Sequence, residues 1–297
     1  MQLIGAIVPI ALVATAGFWV GRTFKLDLKT LARLNIYVLL PALVLRGIYG
    51  TTLNLGSAAG IVVGFAVNTV LLYGLAMGLG WGLRFSPEQR KSLIATTVFA
   101  NVGNLGLPFV LFTLGEAGLE RALVYLVASA VAIASVFPIV LKGEGLRAGA
   151  QFTLRLPVLW ATLAGLGLQI LAWQLPAAID RAVNLLGDAA IPIALLTLGI
   201  QLSQTQFAFG WHELFGTGLR LIASPLLAYG VGLGLGLRGL DLQVLVVQAA
   251  MPVAVNSLIW VMELGGNVQQ VAKTIVLSTL MAMVTLPFML WLSSHSF

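Results

Sequence analysis

FANVGNLGLP, residues 99–108, places two asparagines, two glycines and a proline inside a long apolar run. A proline within a helix removes one backbone donor and displaces the carbonyl four residues back, and neighbouring glycines relax the chain further. In lipid the freed backbone groups need partners, so irregular backbone survives only where it is buried in protein or lines a wet cavity. The stretch therefore predicts a helix broken on purpose. QAAMPVAVNS, residues 248–257, is its counterpart, with Pro252 near the centre and Asn256 one helical turn later. Either segment alone reads better as an ordinary proline kink whose asparagines join helices. A matched pair of broken helices points instead to a transport site near the bilayer midplane.

Composition identifies the solvent around these breaks. The 297 residues are 59% hydrophobic and 9% charged, with a mean hydropathy of +1.01, against roughly 25% charged residues in a soluble domain. Apolar stretches of about 18 or more residues recur along the chain, and the ten-residue alternation of membrane strands is missing. The fold class is all-α, integral to the membrane. With no cysteine, disulfides and thiolate metal sites are excluded, and no metal or organic cofactor is expected. Sixteen basic residues exceed ten acidic ones, but they are scattered through short loops and form no nucleic-acid stripe.

About ten spans are predicted, near 2–21, 31–50, 57–82, 91–114, 119–141, 157–175, 183–203, 213–237, 241–263 and 270–293. The first resembles a secretory signal at ATAG (14–17), but no positive charge precedes it, so it is read as a span. Arg22, Lys25, Lys29, Arg33, Arg84, Arg90, Lys91, Lys142, Arg147, Arg155 and Lys273 lie near one set of connections; Arg121, Arg181 and Arg238 lie near the other. The positive-inside rule then predicts a multi-pass protein of the cell (inner or plasma) membrane, with both termini outside and the central loop cytoplasmic.

The longest connection, 142–156, falls at the midpoint and divides the chain into 1–141, a cytoplasmic linker and 157–297. PALVLRGI begins at Pro41 and PIALLTLGI at Pro192, 151 residues apart, and Asn101 and Pro252 repeat that spacing. Five spans per half is an odd number, so the second half must be inverted relative to the first. The small-residue faces GIVVG (60–64) and GLAMG (74–78) suit intramolecular packing or a homodimer seam. Trp19, Trp81, Trp160, Trp173, Trp211 and Trp291 cluster near span ends, as an aromatic belt does.

AAMPVAVNSLIWVMELGG (249–266) and STLMAMVTLP (278–287) resemble the auxin efflux carrier family, which includes plant PIN-type auxin exporters and bacterial malate and malonate permeases. FANVGNLGLP is similar to that family's F-x-N-T-G-x-L-G-x-P stretch, and LARLNIYVLLPALVLRG (31–47) and IPIALLTLGIQL (191–202) match in place and kind. The resemblance implies ten helices in two inverted five-helix repeats, with helices 4 and 9 crossing at their breaks, as in bile acid and sodium/proton transporters. It also implies that Asn101, Gly103, Gly106, Pro108, Pro252, Asn256 and Ser257 form the crossover and its substrate-facing groups. Asn104 stands where the family often has an aromatic residue, so the family's best-known solutes transfer poorly.

All ten carboxylates fall in loops or near span ends, whereas Arg46 lies inside the second span. Arg46 and the positive ends of half-helices favour an anion, unless the arginine snorkels to the interface. Coupling to H+ or Na+ is open: Asp188 and Glu263 could bend inward, and Gln201 or Gln248 could help bind sodium. The expected function is a secondary transporter, permease or exporter, of small organic anions such as carboxylates. A channel or a sodium-coupled symporter of another solute is the alternative. An intramembrane enzyme lacks candidates at depth, since His212 and His295 sit near span ends.

Overall fold

The computed structural model describes residues 2–142, 146–204 and 210–294. Residues 143–145 of the central connection, with Glu144, lie outside the described residues. Everything described is helix or connection: α1 (Gln2–Thr23), α2 (Leu28–Leu34), α3 (Leu40–Tyr49), α4 (Leu55–Gly82), α5 (Pro87–Val98), α6 (Leu107–Lys142), α7 (Leu146–Leu154), α8 (Pro157–Ile170), α9 (Ala177–Ser203), α10 (Trp211–Gly218), α11 (Ser224–Gly234), α12 (Gly239–Ala249), α13 (Ser257–Leu264) and α14 (Val268–Ser294). Among the described residues, six continuous helical segments are long and apolar enough to cross a membrane, and shorter apolar helices include Pro157–Ile170 and Gly239–Ala249. The chain is an all-helical, multi-pass membrane protein.

Local chemistry explains where the helices start and bend. Ser86, Pro87 and Gln89 open α5 with a capping box: the Gln89 amide donates to Ser86 Oγ at 3.2 Å and the Ser86 amide to Gln89 Oε1 at 2.9 Å. Asp27 caps α2, and the Thr30 hydroxyl, followed by the Lys29 amide, holds its carboxyl below the usual carboxylate range. Five-residue π-helical turns occupy Asn35–Leu39, Val102–Gly106 and Leu219–Ala223. Each ends two residues before a proline: Pro41, Pro108 and Pro225. The carbonyl that each ring would press upon, four residues back, belongs to Tyr37, Asn104 or Leu221, inside the widened turn. Pro9, Pro192 and Pro287 sit within helices that carry no such turn. In α6, Gly115 adopts φ 69° and ψ −168°, which only glycine takes without strain, and divides the helix where the sequence predicts the boundary between two spans.

The helices form two compact units, residues 1–54 with 103–204 and residues 55–102 with 205–297. In the first, α1 runs along α9 on a seam of small residues. A Cβ at Gly17 would stand 2.2 Å from the Leu196 carbonyl oxygen, and one at Gly199 would stand 1.9 Å from that of Ala14. The second unit gathers α4, α5 and α10–α14. There GIVVG proves to be internal packing: Gly60 and Gly64 accommodate the side chains of Leu237 and Leu245. Gly74 and Gly78 of GLAMG face open space. Val62, Val63, Val67, Val70 and Leu71 of α4 are exposed, as are all six tryptophans assigned to the aromatic belt. Such a surface is a liability in water and the ordinary outer face of a helix in lipid.

Candidate functional site

Both breaks appear as unwound backbone, and in the second unit they are tied to each other. Helix α5 ends at Val98 and α12 at Ala249. Beyond these ends the Asn101 amide donates to the Pro252 carbonyl at 2.8 Å, and the Ala254 amide donates to that of Phe99 at 2.9 Å. The two bonds frame an antiparallel bridge between Ala100 and Val253. A two-residue piece of sheet thus joins two interrupted helices. This is one of the few ways in which non-helical backbone can satisfy itself inside a membrane protein.

Other groups at the breaks find partners on α11, on α14, in the π turn between α10 and α11, or nearby in the chain. The Val253 amide donates to Ser278 Oγ on α14 at 3.1 Å. The Ala254 carbonyl accepts from the Ser257 amide at 3.1 Å and from its hydroxyl at 2.6 Å, a turn that starts α13. The carbonyl ends of α5 and α12 are taken by Arg220, which lies in the π turn between α10 and α11 and is 1% exposed. Its Nη1 donates to Thr97 at 2.7 Å and more weakly to Val98 at 3.4 Å, and its Nε donates to Met251 at 3.0 Å. Its Nη2 donates to the Ala249 carbonyl and, at 2.8 Å, to Ser224 Oγ, whose own hydroxyl donates to Ala249 at 2.8 Å.

Around this scaffold lie polar atoms buried without a partner. The Asn101 side chain keeps its Nδ2 unbonded, Thr97 its Oγ1, and Gln248 both its amide nitrogen and its oxygen. Gln248 and Thr97 are fully buried and Asn101 nearly so. An unsatisfied buried amide is costly and uncommon in a native fold. Two such side-chain amides and one hydroxyl lie beside the unwound backbone here.

Of the residues singled out in the sequence, Asn101 and Pro252 meet directly through a hydrogen bond. Pro252 and Ser257 are buried, and Asn256 is exposed at the start of α13. Gly103, Asn104, Gly106 and Pro108 belong to the first unit, where Gly103 faces Leu126 and the other three occupy the π turn and the start of α6. Arg46 also belongs to the first unit and forms an ion pair with Asp188, so its charge is not free-standing. Among the coupling candidates, Gln201 is half-buried on α9 of the first unit, and Glu263 is exposed on α13 of the second. Sequence reasoning placed Arg220 inside or close to a span without giving it a role, and passed over Ser224, Ser278 and Thr97. The one available signal was Arg220 itself, a charge in the interior of an apolar span.

Two interrupted helices joined through their own backbone, in a chain of apolar spans, form the kind of frame on which membrane transporters are built. The chain belongs to the membrane transport protein family, whose sequence model matches residues 2–153 and 153–290. It is 31% identical over 275 residues to a protein named "Uncharacterized transporter" from Methanothermobacter thermautotrophicus, covering 89% of this chain and 88% of that one. It is 23% identical over 307 residues, 98% of this chain and 96% of the other, to a protein named "Putative malonate transporter" from Rhizobium meliloti. It is 25% identical over 137 residues to "Auxin efflux carrier component 3a" of Oryza sativa subsp. japonica, covering 44% of this chain and 22% of that one. These matches bear out the resemblance to the auxin efflux carrier family. The protein is a transporter and not an enzyme.

Proposed function

We propose that the protein is a secondary transporter of small organic anions, most simply carboxylates, working by alternating access around the two joined breaks. The observation that carries this reading is the bridge between Ala100 and Val253 with the partnerless amides of Asn101 and Gln248 beside it. Ten spans in two inverted halves, 1–141 and 157–297 about the central linker, suit the 151-residue spacing of Asn101 and Pro252. In this reading both termini lie outside, and the solute meets Asn101, Gly103, Asn104, Gly106, Pro108, Pro252, Asn256 and Ser257.

The preference for an anion follows from charge bookkeeping. Each helix end carries about half an elementary charge, negative at the C-terminus and positive at the N-terminus. Arg220 offsets the two C-terminal ends, of α5 and α12, with its own positive charge. The N-terminal end of α13, opening at exposed Asn256, remains to attract a negative group. The name of the Rhizobium relative agrees with a small dicarboxylate.

The test is uptake of labelled malonate and of a monocarboxylate into liposomes holding the purified protein, with the matching amides as competitors. Saturable uptake that acids inhibit and amides do not supports the proposal. Saturable transport confined to neutral or cationic solutes, or an unsaturable conductance, refutes it.

A further inference from the structure

We propose that Arg220 is the positioning residue of the transport site: a permanent cation belonging to the protein, standing where two helix C-termini would otherwise make a cation site. The inference rests on the transporter reading and adds the way the unwound segments are held in place.

Geometry makes the case. Arg220 is almost completely buried within the apolar segment Trp211–Gly234, where a charged side chain is costly and survives only with a purpose. Its three nitrogens are divided between two helices. Nη1 serves the end of α5 through Thr97 and Val98, while Nε and Nη2 serve the end of α12 through Met251 and Ala249. Helix C-termini and unwound carbonyls are the groups with which broken-helix carriers take up small cations. Here a guanidinium occupies them.

The side-chain type fits that task. A planar fork reaches several acceptors in fixed directions, which a lysine ammonium on a flexible stem does not, and a guanidinium keeps its proton at any pH a cell meets. Pro225 supplies the placement, because the π turn Leu219–Ala223 that precedes it carries Arg220. An ordinary α-helical register would lack the extra residue of that turn and would rotate the residues before it by about 100° relative to α11. Ser224 completes the arrangement by accepting from Nη2 and donating to Ala249. With the carbonyl ends held, the bridge of Ala100 with Val253 is fixed, and with it the positions of Asn101 and Asn256.

The test uses purified full-length protein and three readouts: amide hydrogen exchange, melting temperature in sodium, guanidinium or choline chloride at equal ionic strength, and carboxylate uptake. In the wild type, segments 97–101 and 249–256 should be strongly protected, and neither sodium nor guanidinium should raise the melting temperature above that in choline. Arg220→Ala should lose protection in those two segments first, lower uptake by at least about tenfold, and melt higher in guanidinium or sodium than in choline. Added guanidinium should restore part of the uptake. Arg220→Lys should be intermediate, with uptake that falls at high pH as the buried ammonium loses its proton. If Arg220→Ala does not fold, Ser224→Ala should still loosen 249–256 while leaving 97–101 protected.

Wild-type exchange and uptake in Arg220→Ala, or uniform loosening with no response to either cation, would overturn the proposal. So would unchanged exchange in Ser224→Ala. Exchange and melting need no solute. A wild type that carries no carboxylate but shows these patterns would defeat the transport reading and leave the role of Arg220 standing.

Discussion

The backbone amide of Asn101 is bonded to the carbonyl of Pro252 at 2.8 Å, while the side-chain Nδ2 of the same residue is buried without a partner. The main chain builds the joint between the breaks, and the side chain is held in reserve. Asn101→Ala should therefore spare the fold and damage transport. Removing an unsatisfied buried amide returns about 1–3 kcal/mol of desolvation cost, less whatever the resulting small cavity costs. The melting temperature should stay level or rise while uptake falls at least about tenfold. Asn256→Ala, at an exposed helix start, should lower uptake without moving the melting temperature. Normal uptake in both would mean that neither residue meets the solute.

Ala254→Pro tests the joint itself. Proline cannot donate to the Phe99 carbonyl, so the bridge loses one of its two bonds and leaves a buried acceptor to find another partner. A loss of about 1–3 kcal/mol should appear as faster hydrogen exchange confined at first to 99–101 and 250–256. Loosening that begins in α1 or α9 instead would contradict the assignment.

The Arg46–Asp188 pair separates a structural arginine from one that faces the solute. Both side chains are partly exposed, at 28% and 67%, so the ion pair contributes no more than about 1 kcal/mol to stability. Asp188→Asn leaves the guanidinium without its carboxylate. If the pair borders the solute path, binding of a carboxylate should tighten several-fold in Asp188→Asn and weaken in Arg46→Gln, while binding of the matching amide changes in neither. Equal shifts for acid and amide, read by thermal stabilisation, would remove Arg46 from the site.

Close packing of α1 with α9 gives a prediction with an internal control. Gly199→Ala sets a methyl group against the Ala14 carbonyl and should cost about 1–3 kcal/mol. Gly74→Ala and Gly78→Ala meet nothing within 4 Å and should be close to neutral or slightly stabilising. Equal destabilisation at Gly74 and Gly199 would show that the α4 face is covered in the membrane.

Orientation can be tested with single cysteines, since the native chain has none. Glu116→Cys, in an exposed connection beside Gly115, should react with an impermeant reagent on intact cells. Glu88→Cys, exposed at the start of α5, should react only after the cells are opened. The reverse pattern would invert the topology read from the basic loops.

Hydropathy and proline placement are local properties, and local properties were legible. An apolar run too long for a soluble core needs only its own residues to demand lipid, and a polar, proline-bearing stretch inside such a run marks a break by its own composition. The two breaks, the division at Gly115 and the carrier resemblance could all be read before any contact was known. The partners of the broken backbone could not. Thr97, Ala249 and Met251 are unremarked residues in sequence, and their carbonyls matter only because Arg220, 123 residues beyond Thr97 along the chain, comes within 2.7 Å of one of them. The same holds for Ser278 beneath Val253 and for Asp188 beside Arg46, which turns a lone cation into half of a pair. Hydrogen bonds and ion pairs fall away within a few ångströms, and distance along the chain says nothing about which carbonyl a buried arginine will reach. That choice is made by helix packing, which brings the ends of α5 and α12 to the one π turn that Pro225 enforces.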